Sequence, residues 1–336
     1  MPASAPGFWR HRGVIAWSLF PLSLLFGGLA ALRRVLFRWR ILQRVVLPVP
    51  VVVVGNVAVG GSGKTPVTLW LADVLRQRGY HPGILSRGYG GQVEGVAEVP
   101  PDGDPIRYGD EPVLMAARSG CPVFVGRDRP AAGQALLAAH PSVNVLLADD
   151  GLQHYRLARN LEIVVVDEAT LGNRLLLPAG PLREGLARLG KGSFIFAHGA
   201  LSAPVRAAAH GVPIFEFDLR GDLFERIGTR QERCSAEVFK GRRVHALAGI
   251  GRPERFFAQL EAMGLMIERR PFPDHHAFCE ADLYIPDGDV LLMTEKDAVK
   301  CAAFAPADTW VWPVRAHFAP EAAELIVEKL DGPPTA

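Results

Sequence analysis

The chain has 336 residues, with 37 Lys and Arg against 35 Asp and Glu, so its formal net charge is +2. This length is a prior for two domains, and the near-neutral charge argues against a nucleic-acid partner, which usually needs a strong basic excess. The four cysteines are scattered without metal-ligand or redox spacing, so we expect a reducing compartment and no disulfide framework.

The first predicted element is an apolar segment near the N-terminus. Residues 14–32, VIAWSLFPLSLLFGGLAAL, are about 19 residues without a charge, close to the length that crosses a bilayer. The following segment, RRVLFRWRILQR, interleaves arginines with Phe37 and Trp39, a mixture that suits lipid headgroups. A cleaved signal peptide is disfavoured because no small-residue cleavage site follows.

Three interpretations of this segment remain: a single membrane span, a helix lying in the membrane interface, and a core helix of a soluble fold. Pro21 and the Gly27–Gly28 pair weaken a straight helix and favour the interface. We expect residues 1–45 to form a membrane-associated helix. If it spans, the heavier positive C-terminal flank places the main body in the cytoplasm.

From residue 47 onward, short β-branched runs alternate with helical stretches. Helix candidates are Val67–Arg78, Glu111–Arg118 and Pro130–Ala139. The strand candidates of this unit, residues 46–221, are Val49–Val54, Pro82–Leu85, Val123–Val125, Val143–Ala148, Ile163–Val166, Phe194–Ala197 and Ile214–Phe217. The alternation predicts an α/β fold whose mostly parallel sheet is covered by helices on both faces.

The pattern changes at residue 222. Residues 222–243 are polar and predict a linker or a hairpin, and residues 244–332 predict a smaller C-terminal α/β domain. The elements predicted in that domain are strands Val244–Ala248, Leu291–Met293 and Trp310–Val314 and helix Pro253–Met263. The last residues, DGPPTA, are typical of a frayed tail.

Residues 51–65 place a β-branched strand, a glycine-rich turn and a helix start in the order that cradles nucleotide phosphates. The end of the loop matches G-x-x-x-x-G-K-[ST], but the leading glycine position is Ala58, and Gly60 and Gly61 lie inside the loop instead. Lys64 is predicted to reach the β- and γ-phosphates, and the Thr65 hydroxyl to coordinate Mg²⁺. The fold class is therefore P-loop NTPase-type. The predicted nucleotide-binding residues are Gly60, Gly61, Ser62, Gly63, Lys64 and Thr65.

A second element supports nucleotide binding. VNVLLADDG is a hydrophobic strand that ends in two acids, Asp149 and Asp150. A carboxylate at the C-terminal end of a strand beside the phosphate loop holds the Mg²⁺ shell in this fold class. The sequence does not decide which of the two acids contacts the metal.

Three further clusters are candidates for binding or activating the molecule that receives the phosphate. YGDEP offers Asp110 and Glu111, although these acids also suit a plain helix start. FPDHH offers Asp274, His275 and His276, although the pair of histidines also suits a surface loop. The third cluster, LPAGPLREG, contains Arg183 and Glu184. A kinase needs a carboxylate or imidazole to accept the proton of the attacking hydroxyl.

These motifs together resemble the tetraacyldisaccharide 4'-kinase family, the lipid A 4'-kinases of Gram-negative bacteria. The matching pieces are VGNVAVGGSGKTP, SRGYGG, GDEP, RDR, LADDGLQH, GPLRE, AGIGRPERFF, FPDHH and TEKDAVK, which run in the family's order from about residue 50 to 300. The phosphate loop without a glycine at Ala58 is itself similar to the family's version. The resemblance covers nearly the full chain, including the hydrophobic N-terminus.

The resemblance implies an ATP-dependent kinase that phosphorylates the 4'-hydroxyl of tetraacyldisaccharide 1-phosphate, giving lipid IVA, at the cytoplasmic face of the inner membrane. It implies that Asp110 and His275 form the catalytic pair and that Asp149 and Asp150 lie in the Mg²⁺ region. The other residues that it assigns to the substrate and phosphate region are Tyr89, Glu111, Arg127, Arg183, Glu184 and Asp274. Because Asp110 and His275 lie on different sides of the linker, we expect closure of two domains to assemble the site.

The alternatives belong to other functional classes. A nucleotide switch needs a guanine-reading motif or metal-ligand cysteines, and TEKDAVK does not match N-K-x-D spacing. A kinase of another small acceptor leaves the apolar N-terminus without a role. A pure membrane-binding module does not explain Lys64, Thr65, Asp149 and Asp150.

Overall fold

The computed structural model describes residues 6–229 and 231–332. Part of the predicted frayed tail, residues 333–336, lies outside the described residues, as do residues 1–5 of the predicted N-terminal segment. A short 3₁₀ turn, Gly7–Arg10, precedes the first long helix, α1 (Val14–Arg38).

Helix α1 is long and apolar enough to cross a membrane, by length and composition alone. It continues through Pro21 and Gly27, so these residues do not end it. One face docks on the loop at residues 173–184: Ser23 Oγ donates to Leu176 O at 2.8 Å and accepts from Ala179 N at 3.0 Å. Most of the remaining surface of α1 is exposed, and we call this exposed side its bare face. Helix α1 is therefore not a buried core helix.

After α1, strands and helices alternate along most of the chain. The strands before residue 222 are β1 (Val51–Gly55), β2 (Pro82–Ser86), β3 (Val96–Glu98), β4 (Val123–Gly126), β5 (Val145–Asp149), β6 (Leu161–Val166), β7 (Phe194–His198) and β8 (Ile214–Arg220). The helices are α2 (Lys64–Gln77), α3 (Pro105–Tyr108), α4 (Asp110–Ser119), α5 (Arg129–Ala139) and α6 (Ala203–Ala207). The later strands are β9 (Phe224–Arg226), β10 (Arg233–Cys234), β11 (Val244–Ala248), β12 (Ile267–Pro271), β13 (Val290–Thr294), β14 (Thr309–Trp312) and β15 (Arg315–Phe318). The later helices are α7 (Pro253–Ala262), α8 (Glu295–Cys301) and α9 (Pro320–Asp331).

The described residues form a nine-stranded sheet in the order β15-β8-β7-β6-β1-β5-β2-β4-β3. Its interior pairs are parallel, and the edge strands β3 and β15 are antiparallel to their neighbours. Strand β1 alternates between two cores, with Val52 and Val54 on one face and Val51 and Val53 on the other. Both faces are therefore buried, as the predicted parallel sheet requires.

A second sheet has six strands among the described residues, in the order β10-β9-β14-β13-β11-β12. Segment 222–243 contributes the antiparallel hairpin β9–β10 to this sheet. After β14 the chain returns to the first sheet, because β15 pairs with β8 and Ile326 of α9 joins its core. The division of the chain at residues 222 and 244 remains a proposal.

The topology of the first sheet creates a crevice. After β1 the chain crosses to β2 on the far side of β5, and after β5 it crosses to β6 on the far side of β1. The connections therefore leave these two neighbouring parallel strands in opposite directions. Ligands of open α/β sheets bind at such a switch point, beyond the carboxyl ends of the strands. The segments that leave this edge of the sheet are the glycine-rich loop after β1 and the two acids at the end of β5.

The predicted α/β fold class is confirmed. Each of the seven strands predicted before residue 222 is present, with bounds that differ by at most three residues. The strands that were not predicted, β3, β12 and β15, are short or rich in charged residues and lie at sheet edges. Edge strands lack the continuous apolar run that identifies a central strand.

Candidate active site

The glycine-rich loop runs from the end of β1 to the start of α2. Gly60 and Gly63 have φ values of 113° and 91°, which residues with side chains rarely adopt, so the turn requires glycine at both positions. Asn56 is buried beneath the loop, and its Nδ2 donates to Ser62 Oγ at 3.1 Å and to Gly60 O at 3.4 Å. These bonds brace the loop from inside while residues 59–66 line a cleft.

The position of Ala58 explains the departure from the generic loop pattern. Ala58 forms an isolated antiparallel bridge with Leu182 and is buried in an apolar cluster. The next residue, Val59, donates its N–H to Pro181 O at 2.9 Å. This end of the loop pairs with a neighbouring segment, and a small apolar side chain fills the space that the pairing encloses.

The two acids after β5 have different surroundings. Asp149 is fully buried and accepts a hydrogen bond from Thr68 Oγ1 at 3.0 Å. Asp150 has a left-handed φ of 47° and accepts two hydrogen bonds from Arg183 Nη1, at 3.1 and 3.0 Å. Lys64 Nζ lies 3.6 Å from Asp150 Oδ1. The structure therefore brings Lys64, Asp150 and Arg183 together at the loop.

These surroundings shift the pKa of the two carboxyl groups in opposite directions. Burial raises the pKa of Asp149 to about 7, and the negative charge of Glu111 adds to the effect. Burial acts the same way on Asp150, but the charges of Lys64 and Arg183 outweigh it and lower its pKa to about 2. In the part of the chain that the structure describes, no cationic side chain hydrogen-bonds the buried carboxyl of Asp149. A cation placed beside it would therefore stabilise its ionised form.

The donor set suits a hard cation such as Mg²⁺. Hydroxyl and carboxylate oxygens are its ordinary protein ligands, and Thr65 and Asp149 both line the cleft. Among residues 6–229 and 231–332, no three His, Cys, Asp or Glu side chains form a preformed metal centre. A site of one or two carboxylates completed by phosphate oxygens and water is the usual arrangement for Mg²⁺.

His275 and Asp110 meet where the two sheets face each other. Asp110 is the first residue of α4, and His275 follows β12 in the second sheet. His275 Nδ1 lies 2.9 Å from Asp110 Oδ2, and Glu111 N donates to Asp110 Oδ1 at 2.9 Å. His275 has a φ of 60°, a strained conformation that tertiary contacts must maintain. The neighbouring His276 turns away and bonds Asp282 Oδ2 at 3.0 Å.

The pKa of each member of this pair is set by opposing effects. Burial would raise the pKa of Asp110, but the hydrogen bond from His275 and the charge of Lys296 lower it to about 2. Burial would lower the pKa of His275, but the hydrogen bond to Asp110 outweighs it and raises that pKa above its ordinary value. Asp110 is therefore a carboxylate at neutral pH with one oxygen held by His275.

The glycine-rich loop and His275, the more exposed member of the pair, line one cleft of about 550 Å³. Glu111, Asp149, Asp150, Asp274 and His275 line its polar part. The apolar side chains of its lining are Leu69, Leu219, Ile250, Phe256, Trp312 and Val314. A volume of this size, lined by both polar and apolar side chains, fits a small organic anion such as a nucleotide.

The remaining predicted residues lie at different distances from this cleft. Tyr89 packs its ring on His275, with ring centroids 5.2 Å apart. Arg127 lines a neighbouring cavity of about 180 Å³, together with Arg87 and residues 88–91. Glu184 turns toward α1 instead, where it accepts from Arg34 Nη1 at 3.0 Å and from Tyr155 Oη at 2.6 Å. The assignment of all three residues to substrate remains a prediction.

The two sheets are joined beside the glycine-rich loop. A methyl group added at Gly251 would lie 3.2 Å from Gly61 N, so the two loops touch. Arg252 and Arg255, at the start of α7, donate to the buried Asp167 Oδ2 at 2.5 and 2.8 Å. These contacts keep the second sheet over the cleft.

Sequence reasoning assigned no role to Lys296, which lines the cleft beside Asp110 and His275. It also missed Asn56, the brace of the glycine-rich loop. Both residues lie inside motifs that carried the family resemblance, TEKDAVK and VGNVAVGGSGKTP. Those motifs marked the segments, but the contacts depend on tertiary folding.

Comparisons with known proteins identify relatives of this chain. A family model described as tetraacyldisaccharide-1-P 4'-kinase matches residues 15–331. A tetraacyldisaccharide 4'-kinase from Aromatoleum aromaticum is 59% identical over 337 residues and covers 100% of both chains. One from Azoarcus sp. strain BH72 is 58% identical, covering 97% of this chain and 95% of its own. A crystal structure of LpxK from Aquifex aeolicus in complex with ATP superposes with a TM-score of 0.79 at 28% identity, covering 94% of this chain and 100% of its own.

Proposed function

The chain belongs to the tetraacyldisaccharide-1-P 4'-kinase family, and from this premise we propose how its residues perform the reaction. The protein is an ATP-dependent kinase of lipid A biosynthesis. It transfers the γ-phosphoryl group of ATP to the 4'-hydroxyl of tetraacyldisaccharide 1-phosphate.

Asp110 accepts the proton of the 4'-hydroxyl. As the oxygen–phosphorus bond to the γ-phosphorus forms, the bond between that phosphorus and the β,γ-bridging oxygen breaks, and ADP leaves with the electron pair. The observation that carries this role is the 2.9 Å contact between Asp110 Oδ2 and His275 Nδ1, because the His275 imidazole lines the same cleft as the glycine-rich loop. His275 fixes the orientation of the Asp110 carboxylate through its contact with Oδ2.

The nucleotide lies along the cleft between the sheets. The phosphates occupy the glycine-rich loop, where Lys64 balances their charge. The nucleobase contacts the apolar side chains of the cleft lining. Thr65 and Asp149 hold Mg²⁺, which when bound neutralises charge on the phosphate oxygens. Asp150 and Arg183 fix the position of Lys64 through the ion pairs described above.

The contact between Asp110 and His275 depends on closure of the second sheet over the first. Asp110 belongs to an element of the first sheet's layer and His275 to the second. Opening of the cleft between the two sheets would separate Asp110 from His275 and admit water. We propose that closure over both substrates assembles the pair and limits hydrolysis of ATP.

The lipid substrate is presented by a membrane surface. The bare face of α1 exposes Trp17, Leu22, Leu25, Leu29 and Leu32, each more than half exposed. An apolar face flanked by arginines suits the cytoplasmic leaflet, where anionic headgroups attract basic residues. We place the protein at the cytoplasmic face of the inner membrane, with the opening of the cleft directed to the lipid.

The deciding experiment follows labelled γ-phosphate from ATP to tetraacyldisaccharide 1-phosphate in detergent micelles. The native chain should give labelled product, and Asp110→Asn should lose about 10²–10⁴-fold in kcat, the range of a lost general base. Asp102→Asn, at an exposed surface position, is the matched control and should keep its activity. Equal product from Asp110→Asn and the native chain would remove Asp110 as base, and ATP binding without lipid product would remove the proposed acceptor.

A further inference from the structure

Lys296 occupies the centre of the contact between the two sheets at the candidate site. It is the second residue of α8, and its side chain is 16% exposed. Its Nζ lies 3.1 Å from Glu111 Oε1, 3.2 Å from Asp274 Oδ1 and 3.4 Å from His275 Nε2. Asp110 Oδ2 lies 3.8 Å away. One ammonium group therefore contacts residues of α4 and of the segment after β12.

The hydrogen-bonding chemistry of lysine limits the state of His275. An ammonium group has three donors and no acceptor. Glu111 and Asp274 take two of these donors, and the third faces His275 Nε2. A proton on Nε2 would set two donors against each other. The neutral imidazole that satisfies both contacts keeps its lone pair on Nε2, toward Lys296, and its proton on Nδ1, toward Asp110 Oδ2.

The charge of Lys296 is secured by its neighbours. Burial would lower the pKa of the ammonium group, but Glu111, Asp110 and Asp274 together raise it above its ordinary value. The permanent positive charge in turn opposes protonation of His275 and of Asp110. The groups that face the imidazole from every packed element are Asp110 of α4, Asp274 of its own segment, Lys296 of α8 and the Tyr89 ring.

We propose that Lys296 is a positioning residue, which holds His275 in its neutral Nδ1–H tautomer and thereby keeps Asp110 ready to accept the hydroxyl proton. The inference rests on the proposed function, because it assumes that Asp110 and His275 are the proton-accepting pair. In this role Lys296 works through its contacts with His275, Glu111 and Asp274. It acts through the state of the pair, so its effect depends on pH.

The pH dependence of kcat gives the first test. Removing a positive charge beside the pair raises the apparent pKa of the pair, so fewer molecules are competent at a given acidic pH. We expect the acid limb of the Lys296→Met profile to move up by about one pH unit. Lys296→Arg keeps the charge and should return the limb to within about 0.3 of the native position. An unchanged limb in Lys296→Met would overturn the inference.

Lys300→Met is the matched control on the same helix. Lys300 Nζ pairs with Asp297 Oδ1 at 2.9 Å and lies 4.7 Å from the Phe278 ring centroid. Its loss should lower Tm through the uncompensated buried carboxyl of Asp297. The charge of Lys300 contributes less than that of Lys296 to lowering the pKa of Asp110, so the acid limb should move by clearly less than in Lys296→Met. A limb displaced as far as that of Lys296→Met would mean that any lost charge in α8 suffices, which contradicts the inference.

A second measurement does not depend on the folding of any variant. The full native chain labelled with ¹⁵N-histidine reports which imidazole nitrogen carries the proton, and His275→Gln identifies the His275 signals. At a pH above the imidazole titration seen in the same spectra, the proton should be on Nδ1, and a proton on Nε2 would overturn the inference. If Asp110→Asn kept full activity, the proposed function would fail while this assignment of the tautomer could still hold.

Discussion

His275 Nδ1 lies 2.9 Å from Asp110 Oδ2, although the two residues are 165 positions apart in the chain. The contact joins the first residue of α4 to a segment of the second sheet, and its imidazole lines the same cleft as the glycine-rich loop. A local sequence motif cannot produce such a contact. It exists only in the arrangement in which the two sheets face each other across the cleft.

The first prediction concerns how Asp110 and His275 act together. Asp110→Asn should lower kcat by about 10³-fold and His275→Gln by about 10²-fold, within the range for general-base catalysis. Residues that act as one unit are strongly non-additive. The double variant should therefore be within about threefold of Asp110→Asn alone, measured as single-turnover transfer to the lipid.

His276→Gln provides the control for this cycle. It removes the adjacent imidazole, which bonds Asp282 and not Asp110. Its kcat should stay within about twofold of the native value, since an interaction away from the chemistry contributes little to the transition state. Losses that multiply in the double variant would show that Asp110 and His275 act independently.

The second prediction concerns Lys64 in the glycine-rich loop. Its Nζ lies within an ion-pair group with Asp150 and Arg183, at the position where the β- and γ-phosphates would sit. Lys64→Met should lower kcat by about 10²–10³-fold, because it removes a preorganised charge from the developing phosphate oxygens. Lys240→Met removes an exposed lysine paired with Glu237 and should leave kcat unchanged. Full activity in Lys64→Met would mean that the loop does not hold the reacting phosphates.

The third prediction follows from the opposite pKa shifts of Asp149 and Asp150. Burial places the folded-state pKa of Asp149 at about 7, above its unfolded value. The folded state therefore binds this proton more tightly, and the stability that it contributes is lost as pH rises from about 4 to about 7. Without metal or nucleotide, Asp149→Asn should raise Tm at pH 8 by several degrees and at pH 4 by much less.

Asp150→Asn should do the reverse. The charges of Lys64 and Arg183 hold the folded-state pKa of Asp150 at about 2 against the effect of burial, so its carboxylate stabilises the fold above its unfolded pKa of about 4. The Asn variant should therefore have a lower Tm at pH 8. Differential scanning calorimetry with a chelator present, at pH 4 and at pH 8, measures the Tm of each variant. A fall in Tm for Asp149→Asn at pH 8 would contradict the prediction. Loss of kinase activity in the same variant would be separate evidence that Asp149 is a metal ligand.

The sequence was sufficient for the parts of the molecule that depend on local patterns. Buried parallel strands such as β1 and β5 are continuous apolar runs, and the loop after β1 contains glycines where the backbone needs positive φ. Asp149 and Asp150 were found because they end such a run. The resemblance then paired Asp110 with His275, which no periodicity in the chain could have done.

Other features depend on tertiary contacts that the sequence does not encode locally. β15 follows directly after a strand of the second sheet, yet it adds to the edge of the first. Glu184 stands next to Arg183 in the chain, but its carboxylate turns to Arg34 of α1 while Arg183 turns to Asp150. Lys296 was visible in the sequence only as a charged residue inside the motif TEKDAVK. The path of the chain decides the first of these cases and the direction of a side chain the other two, and composition and spacing report neither.

The last prediction separates the two faces of α1. Leu25 and Leu29 are each 60% exposed on the bare face, whereas Ser23 is buried against the loop at residues 173–184. If the bare face enters a membrane, a charge on it removes apolar burial and adds the cost of placing a carboxylate among acyl chains. The docked face should instead matter for the stability of the fold.

Leu25→Glu combined with Leu29→Glu should reduce cosedimentation with vesicles of anionic phospholipid by about tenfold or more, with Tm and nucleotide affinity unchanged. Ser23→Val removes the hydrogen bonds to Leu176 and Ala179, so it should lower the free energy of unfolding by about 1–3 kcal/mol while vesicle binding stays. In the Leu25→Glu, Leu29→Glu variant, product formation on lipid in vesicles should fall together with vesicle binding. It should recover in detergent micelles, where the acceptor reaches the cleft without a membrane. Unchanged vesicle binding by the double variant would assign the bare face of α1 to another partner and leave membrane attachment to the arginines that follow it.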